Sequence, residues 1–324
     1  MSEYTYRPAW WLPGPHARTI WSKFFHDAPP VVAREERWET PDGDFVELLR
    51  LEGERAAPHV LLLHGLEGTP RSHYVRGMFA ELGRRGWGLD LLLFRSCGSE
   101  MNRARRFYHS GETSDLAFAI ERLIAERPQM RLGLAGFSLG GNVLLKWLGE
   151  RGADLPRQLC GAAAVSVPFD LARSARQVDH GFARVYQAHF LRTLRRKARQ
   201  KLVRFPDLFD QVALDHARSL HDFDDAVTAP VHGFRDADDY YERSSALRFL
   251  AGIRLPTLLL SAVDDPFLPA DVLDDVRAAA SRNPALQTEF IERGGHVGFV
   301  TGAPWNARYY AEWRVADFLS TLCR

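Results

Sequence analysis

An α/β protein with a mostly parallel central sheet of about eight strands, flanked by helices and carrying a helical cap insertion, is what this sequence predicts. Three observations carry that prediction. Short continuous apolar runs alternate with stretches of helical period, the apolar runs end in tight turns, and the alternation lapses between about residues 168 and 250. Runs such as VLLLH, LDLLLF and TLLLSA are apolar throughout, as expected of strands covered on both faces. Alternation of this kind implies parallel strands joined by right-handed crossovers.

Taken in order, the chain begins with MSEYTYRPAWWLPGPHARTIW, where charges and Pro8, Pro13 and Pro15 prevent any long apolar run. Neither a signal peptide nor a membrane span is therefore expected. Trp10, Trp11, Trp21 and Trp38 are half of the eight tryptophans, and rings of that size need a surface to cover. Residues 1–30 are expected to form an arm packed on the main domain, or a lip of a substrate or membrane site. Segments 33–39 and 45–51, joined through Pro41-Asp42-Gly43-Asp44, read as an antiparallel hairpin. Further strands are expected at 59–64, 88–94, 132–137, 161–166, 256–262 and 288–292. Helices are expected at 74–85, 114–126, 142–150, 270–281 and 307–322. The core thus spans 1–167 and 251–324, and the insertion 168–250, where an α/β sheet can carry a lid over its active edge.

Composition narrows the function classes. Lys and Arg number 42 against 41 Asp and Glu in 324 residues, and the net charge of +1 supplies no broad footprint for nucleic acid. The three cysteines, Cys97, Cys160 and Cys323, are widely spaced and odd in number. They argue against a disulfide framework or a thiolate zinc site, and they fit a reducing cytoplasm.

Gly136-Phe137-Ser138-Leu139-Gly140 is the strongest chemical signal. The apolar run RLGLAG precedes the serine and the helix-period run NVLLKWL follows, which is the strand–turn–helix setting of a nucleophile elbow. A serine hydroxyl needs a base to become nucleophilic, and in this architecture the acid and the histidine follow it in chain order. Asp265, in SAVDDPFLP, and His296, in ERGGHVGF, each follow a predicted strand. Ser138 would attack an acyl carbon, His296 would shuttle the proton, and Asp265 would orient the imidazole. The adjacent Asp264 is the alternative acid.

The oxyanion hole is expected from the backbone N–H groups of Leu66, in VLLLHGLEG, and Leu139, directly after the serine. His64 either orients that loop or touches substrate. The block 95–115 also follows a strand and holds Arg95, Arg103, Arg105, Arg106 and His109. Arg95 and His109 are substrate-site candidates, against a reading in which the block only anchors its loop.

These residues together resemble an α/β-hydrolase, and specifically the YheT-like family of predicted esterases. The resemblance rests on YRPAWWLPGPHARTIW, HGLEGTPRSHY, FRSCGSEMNRARRFYHSGETSDL, GFSLGGNVLLKWL, SVPFDL, DDPFLP and GGHVGF, and it covers nearly the whole chain. It implies carboxylic-ester hydrolysis with no metal or cofactor. The family usually has glycine where this chain has Ser96, so a different local backbone is expected there.

Inside the insertion, residues 184–204 hold eight basic side chains and no acidic one, with apolar residues near helical spacing. Asp207, Asp210, Asp215, Asp222, Asp224 and Asp225 follow. Two helices of opposite charge would satisfy each other; the alternative is peripheral contact with anionic lipid. Phe182, Tyr186, Phe190, Phe205 and Phe209 would line an acyl pocket or pack the cap. The function expected is a serine esterase for short- or medium-chain acyl esters. The rivals are an acyltransferase using the same acyl-enzyme and a non-catalytic lipid-binding protein.

Overall fold

The computed structural model describes residues 5–323. Eight strands form one sheet: β1 (Arg34–Glu39), β2 (Phe45–Leu51), β3 (His59–Leu63), β4 (Gly88–Leu93), β5 (Leu132–Phe137), β6 (Leu159–Val165), β7 (Thr257–Ala262) and β8 (Leu286–Ile291). Their spatial order is β1-β2-β4-β3-β5-β6-β7-β8. β1, β2 and β4 pair antiparallel, and every pair from β4 to β8 is parallel. The central strands are buried along their whole length because helices cover both faces. A separate hairpin joins β9 (Val300–Ala303) and β10 (Asn306–Tyr309).

The helices are α1 (Gly14–Phe25), α2 (His73–Arg84), α3 (Ser114–Glu126), α4 (Leu139–Arg151), α5 (Leu171–Val178) and α6 (Ala183–Arg204). They continue with α7 (Gln211–His216), α8 (Leu220–Phe223), α9 (Ala229–His232), α10 (Ala237–Ser244), α11 (Ala270–Ala280) and α12 (Tyr310–Leu322). One apolar layer joins the sheet to α3, α4 and α11; the other joins it to α2 and α12. Between β6 and β7 the chain is helical, including a π-helical turn at Asp224–Thr228 and a 3₁₀ segment at Ala246–Gly252. Leu191, Ala198, Leu202, Phe209 and Phe223 give this insertion an apolar cluster of its own.

Three differences from the sequence reading have physical causes. The arm contains α1, whose second residue is Pro15; proline suits the first turn of a helix, where its missing N–H is not needed. The expected helix 307–322 starts at Tyr310, because Asn306–Tyr309 pairs with β9. Cys160 and Cys323 form a disulfide with Cα atoms 5.3 Å apart, which corrects the expectation of unpaired thiols. They lie 163 residues apart in sequence, and meet because α12 packs along β6. Cys97 remains free and buried.

The expected mutual neutralisation within the insertion is also corrected. Asp215 does reach Arg199 at 2.7 Å, but Asp207 bonds Arg105 outside the insertion. Asp210 and Asp222 accept backbone N–H groups at the starts of α7 and α8, and Asp225 accepts from Ala237 N. Those carboxylates cap helix ends instead of pairing with α6.

Candidate active site

β5 delivers the chain to Ser138 and α4 carries it away. Ser138 holds φ 52° and ψ −121°, a strained conformation for a residue with a side chain. Its N–H donates to Val165 O at 2.8 Å, and its carbonyl accepts from Gly141 N at 2.9 Å. The turn closes so tightly that a Cβ at Gly140 would stand 2.5 Å from His64 O, and one at Gly136 2.6 Å from Gly140 O. Glycine at both positions lets the serine sit at the tip. Asn142, one turn into α4, is fully buried and donates to Ser110 O and Ser244 O while accepting from Ala246 N. It ties the elbow to the insertion, a role that no spacing in the sequence revealed.

Asp265 and His296 come to the serine from the ends of β7 and β8. His296 Nε2 lies 3.0 Å from Ser138 Oγ, and its Nδ1 lies 2.8 Å and 3.1 Å from the two Asp265 oxygens. Asp265 is 3% exposed and also accepts from Phe267 N at 2.8 Å. Phe267 stacks on the imidazole, with ring centroids 4.1 Å apart. Asp264 turns the other way. Its Oδ1 accepts from Gly294 N and Gly295 N, and its Oδ2 bonds Arg18 at 3.0 Å. It fastens the histidine loop and does not reach the imidazole.

That loop is held from several sides. Gly295 has φ +67° and Val297 φ +51°, so its path is a sharp one. His296 N donates to Thr19 Oγ1, Val297 N to Ser166 Oγ, and Ser22 Oγ to Gly298 O. His73 reaches Val297 O at 3.1 Å, and burial lowers its pKa to about 3, so the neutral ring donates there. Thr19, Ser22 and Arg18 all belong to α1. The N-terminal segment is therefore a buttress of the histidine loop, which the sequence reading did not foresee.

On the opposite side, β3 runs into His64-Gly65-Leu66-Glu67. His64 is completely buried, bonds Gly65 O through Nδ1 at 2.7 Å, and accepts Phe94 N–H through Nε2 at 3.1 Å. Burial lowers its pKa to about 4, so the imidazole is neutral with its proton on Nδ1. It is absent from the cavity wall, which corrects its candidacy for substrate contact. Gly65 N donates to Tyr74 Oη at 2.7 Å and Glu67 N to Tyr108 Oη at 2.9 Å. Between them, Leu66 N has no acceptor among the described residues. Leu66, Leu139, Ser138 and His296 line one cavity. Glu67, at φ +54°, is gripped by Tyr108 Oη at 2.8 Å and by Lys197 Nζ of α6 at 2.7 Å.

Arg95 is corrected too. Its guanidinium is fully buried among Asp115 (2.7 and 2.8 Å), Asp44 (2.7 Å) and Asp42 (2.9 Å), which push its pKa up, and it does not line the cavity. Arg103 and Arg106 are likewise paired with nearby acids. Ser96 keeps the left-handed backbone that glycine would favour, with φ +65°, and its hydroxyl donates to Asn102 Oδ1 at 2.7 Å. His109 does line the cavity, with its ring centroid 4.4 Å from that of His232. Burial holds both imidazoles neutral, His232 at a pKa of about 4.

The cavity encloses about 150 Å³ between the sheet edge and the insertion. Of the five aromatic residues expected either to line an acyl pocket or to pack the cap, Phe190 alone is in the cavity wall. Phe182 and Tyr186 pack on His16 of α1, and Phe205 and Phe209 join the insertion's own cluster. Phe223, Val227, Tyr240, Tyr241 and Phe267 take the places the sequence did not assign.

The chain belongs to the α/β-hydrolase fold family, whose profile matches residues 58–303. It is similar to the Escherichia coli (strain K12) protein named Putative esterase YheT, 37% identical over 311 residues, covering 94% of this chain and 90% of that one. It is also similar to Phospholipase ABHD3 of Mus musculus, 29% identical over 92% of this chain and 74% of the relative. Among solved structures, the Pyrococcus furiosus esterase PF2001 shares the fold with a TM-score of 0.60, 15% identity, and coverage of 93% and 99%.

Proposed function

We propose that this chain is a serine hydrolase that cleaves carboxylic esters of short- or medium-chain acyl groups through an acyl-enzyme. The observation that carries this reading is the continuous chain of contacts from Asp265 through His296 to Ser138 Oγ at an apolar cavity. Relatives named as an esterase and a phospholipase favour ester chemistry within the family.

Ser138 Oγ attacks the acyl carbon while its proton passes to His296 Nε2, and Asp265 stabilises the imidazolium. The N–H groups of Leu66 and Leu139 receive the oxyanion, the second of them aided by its place in the first turn of α4. Collapse breaks the ester C–O bond, and the departing alkoxide takes the proton from His296. Water, deprotonated by His296, then attacks the acyl-enzyme, and Ser138 leaves with the returned proton. The products are the carboxylic acid and the alcohol. Hydrolysis of p-nitrophenyl esters from acetate to dodecanoate tests the reading. Turnover with an optimum at short or medium length is expected, and turnover surviving Ser138→Ala would overturn it.

Peripheral contact with anionic lipid is part of the same proposal. Supporting it, Arg184, Arg192, Arg195 and Arg199 of α6 line an open groove with Arg218, and Val185 and Val203 of the same helix are exposed. Among the described residues no helix is long and apolar enough to cross a membrane. Co-sedimentation with anionic vesicles at low salt is expected, weakened by Arg192→Glu with Arg195→Glu. Equal sedimentation with neutral vesicles would contradict the electrostatic account.

A further inference from the structure

One side chain outside the serine, histidine and acid lies directly on the base. The Phe267 ring stacks on the His296 imidazole with centroids 4.1 Å apart and planes 15° from parallel. The turn that places it also supplies the acid: Asp265 accepts from Phe267 N at 2.8 Å, and Pro266 between them has its φ fixed by its ring. Asp265 thus holds Nδ1 at the edge of the imidazole while Phe267 covers a face. Two rings of α6 pack on the phenyl in turn, Tyr186 at a centroid distance of 5.0 Å and Phe190 at 6.1 Å.

A neutral imidazole gains little more from this stack than the dispersion available to any flat ring. An imidazolium gains more, because the face of a phenyl ring carries the negative lobe of its quadrupole. His296 is 9% exposed, so the phenyl face takes the place of hydration that the cation would have in water. The ring is charged only while it carries the proton taken from Ser138 or from water. The added attraction therefore falls on the transition state and not on the resting site.

From this geometry we propose that Phe267 is a positioning residue of the reaction, its ring face stabilising the imidazolium that His296 becomes during acyl transfer. The inference rests on the hydrolase reading for the step in which the cation forms, but not for the interaction between the two rings. Phe267 also lines the cavity, so contact with the acyl chain is the competing role. A ring that only touched substrate would act on KM and leave the base unchanged.

NMR titration of isotopically labelled His296 reads its proton affinity without any turnover. The native chain is compared with chains carrying 4-fluorophenylalanine and 3,4,5-trifluorophenylalanine at position 267, which drain charge from the ring face at nearly constant shape. Proton affinity should fall stepwise, about threefold or more for the trifluoro ring, moving the titration down by about half a pH unit. With p-nitrophenyl hexanoate, kcat should fall in the same order, KM should stay within about twofold, and the acid limb of kcat/KM should move to lower pH. Phe267→Leu, apolar but without a π face, should lose at least as much as the trifluoro ring. A proton affinity unchanged or raised across the series, or a kinetic effect confined to KM, would overturn the proposal. The hydrolase reading fails separately, through turnover that survives Ser138→Ala, and the titration still decides between the rings.

Discussion

Asp264 and Asp265 are identical neighbours in the sequence and occupy unlike environments in the fold. Asp265 faces His296 Nδ1 at 2.8 Å, whereas Asp264 accepts two backbone N–H groups of the histidine loop and the Arg18 guanidinium. Asp265→Asn should lower kcat by about 10³- to 10⁴-fold by disturbing the imidazole tautomer. Asp264→Asn should cost about tenfold or less, through looser placement of the loop. Steady-state rates on one ester separate them, and a larger loss from Asp264→Asn would refute the assignment. The serine, the histidine and the acidic pair were legible because each follows a strand in the order the fold demands. Choosing between the two acids was not, since the deciding partners, Arg18 and Gly294, lie 246 and 30 residues away. Of the two roles open for Arg95, loop anchoring holds and substrate contact does not: Asp42, Asp44 and Asp115 consume its charge, and no local pattern announces them.

At the scale of elements, α6 does more than cover the cavity. Lys197 reaches across to Glu67, directly after Leu66, and Tyr108 holds the same carboxylate. Lys197 is thus a positioning residue for the expected oxyanion donor. Lys197→Met should reduce kcat about tenfold while KM shifts by no more than about twofold, because the lost interaction acts in the transition state. Lys197→Arg should recover part of the rate. A change confined to KM would show that α6 shapes binding alone. The strands were legible from their apolar runs, and the insertion from the absence of such runs. α1 was hidden because its proline-rich start reads as a break, although Pro15 in the first turn is itself a helix-start signal. The β9–β10 hairpin was hidden because four-residue strands carry too few residues to show a period.

For the molecule as a whole, the near-neutral charge conceals a set of imidazoles that are fully or partly buried. His64, His73, His109 and His232 have pKa values lowered by burial, to about 4, about 3, well below the ordinary range, and about 4. Each native ring binds fewer protons than its unfolded counterpart. Their contribution to stability is complete above the ordinary pKa of 6.5 and is lost as pH falls toward the folded values. Asp224 works in the opposite sense. Burial raises it to about 6, so its contribution is complete below 3.8 and lost as pH rises through about 6. The lowered imidazoles, with His189 shifted in the same direction, outweigh Asp224 and the likewise raised Asp115, so the chain is acid-sensitive between pH 6.5 and 4, on the order of 2 kcal/mol each for His64 and His232 at pH 5. Urea midpoints at pH 7 and pH 5 measure this, and a midpoint unchanged or higher at pH 5 would contradict it. Asp224→Asn should steepen the loss over the same interval.

The same arrangement of serine, imidazole and carboxylate beside an apolar cavity makes the central claim one about covalent chemistry at a single atom. Intact-mass measurement after mixing the chain with excess p-nitrophenyl hexanoate and quenching in acid tests it most directly. A mass increase of one hexanoyl group, mapped to Ser138 and absent from Ser138→Ala, is the predicted result. Ester turnover that survives Ser138→Ala, or an adduct mapped to another residue, would contradict it.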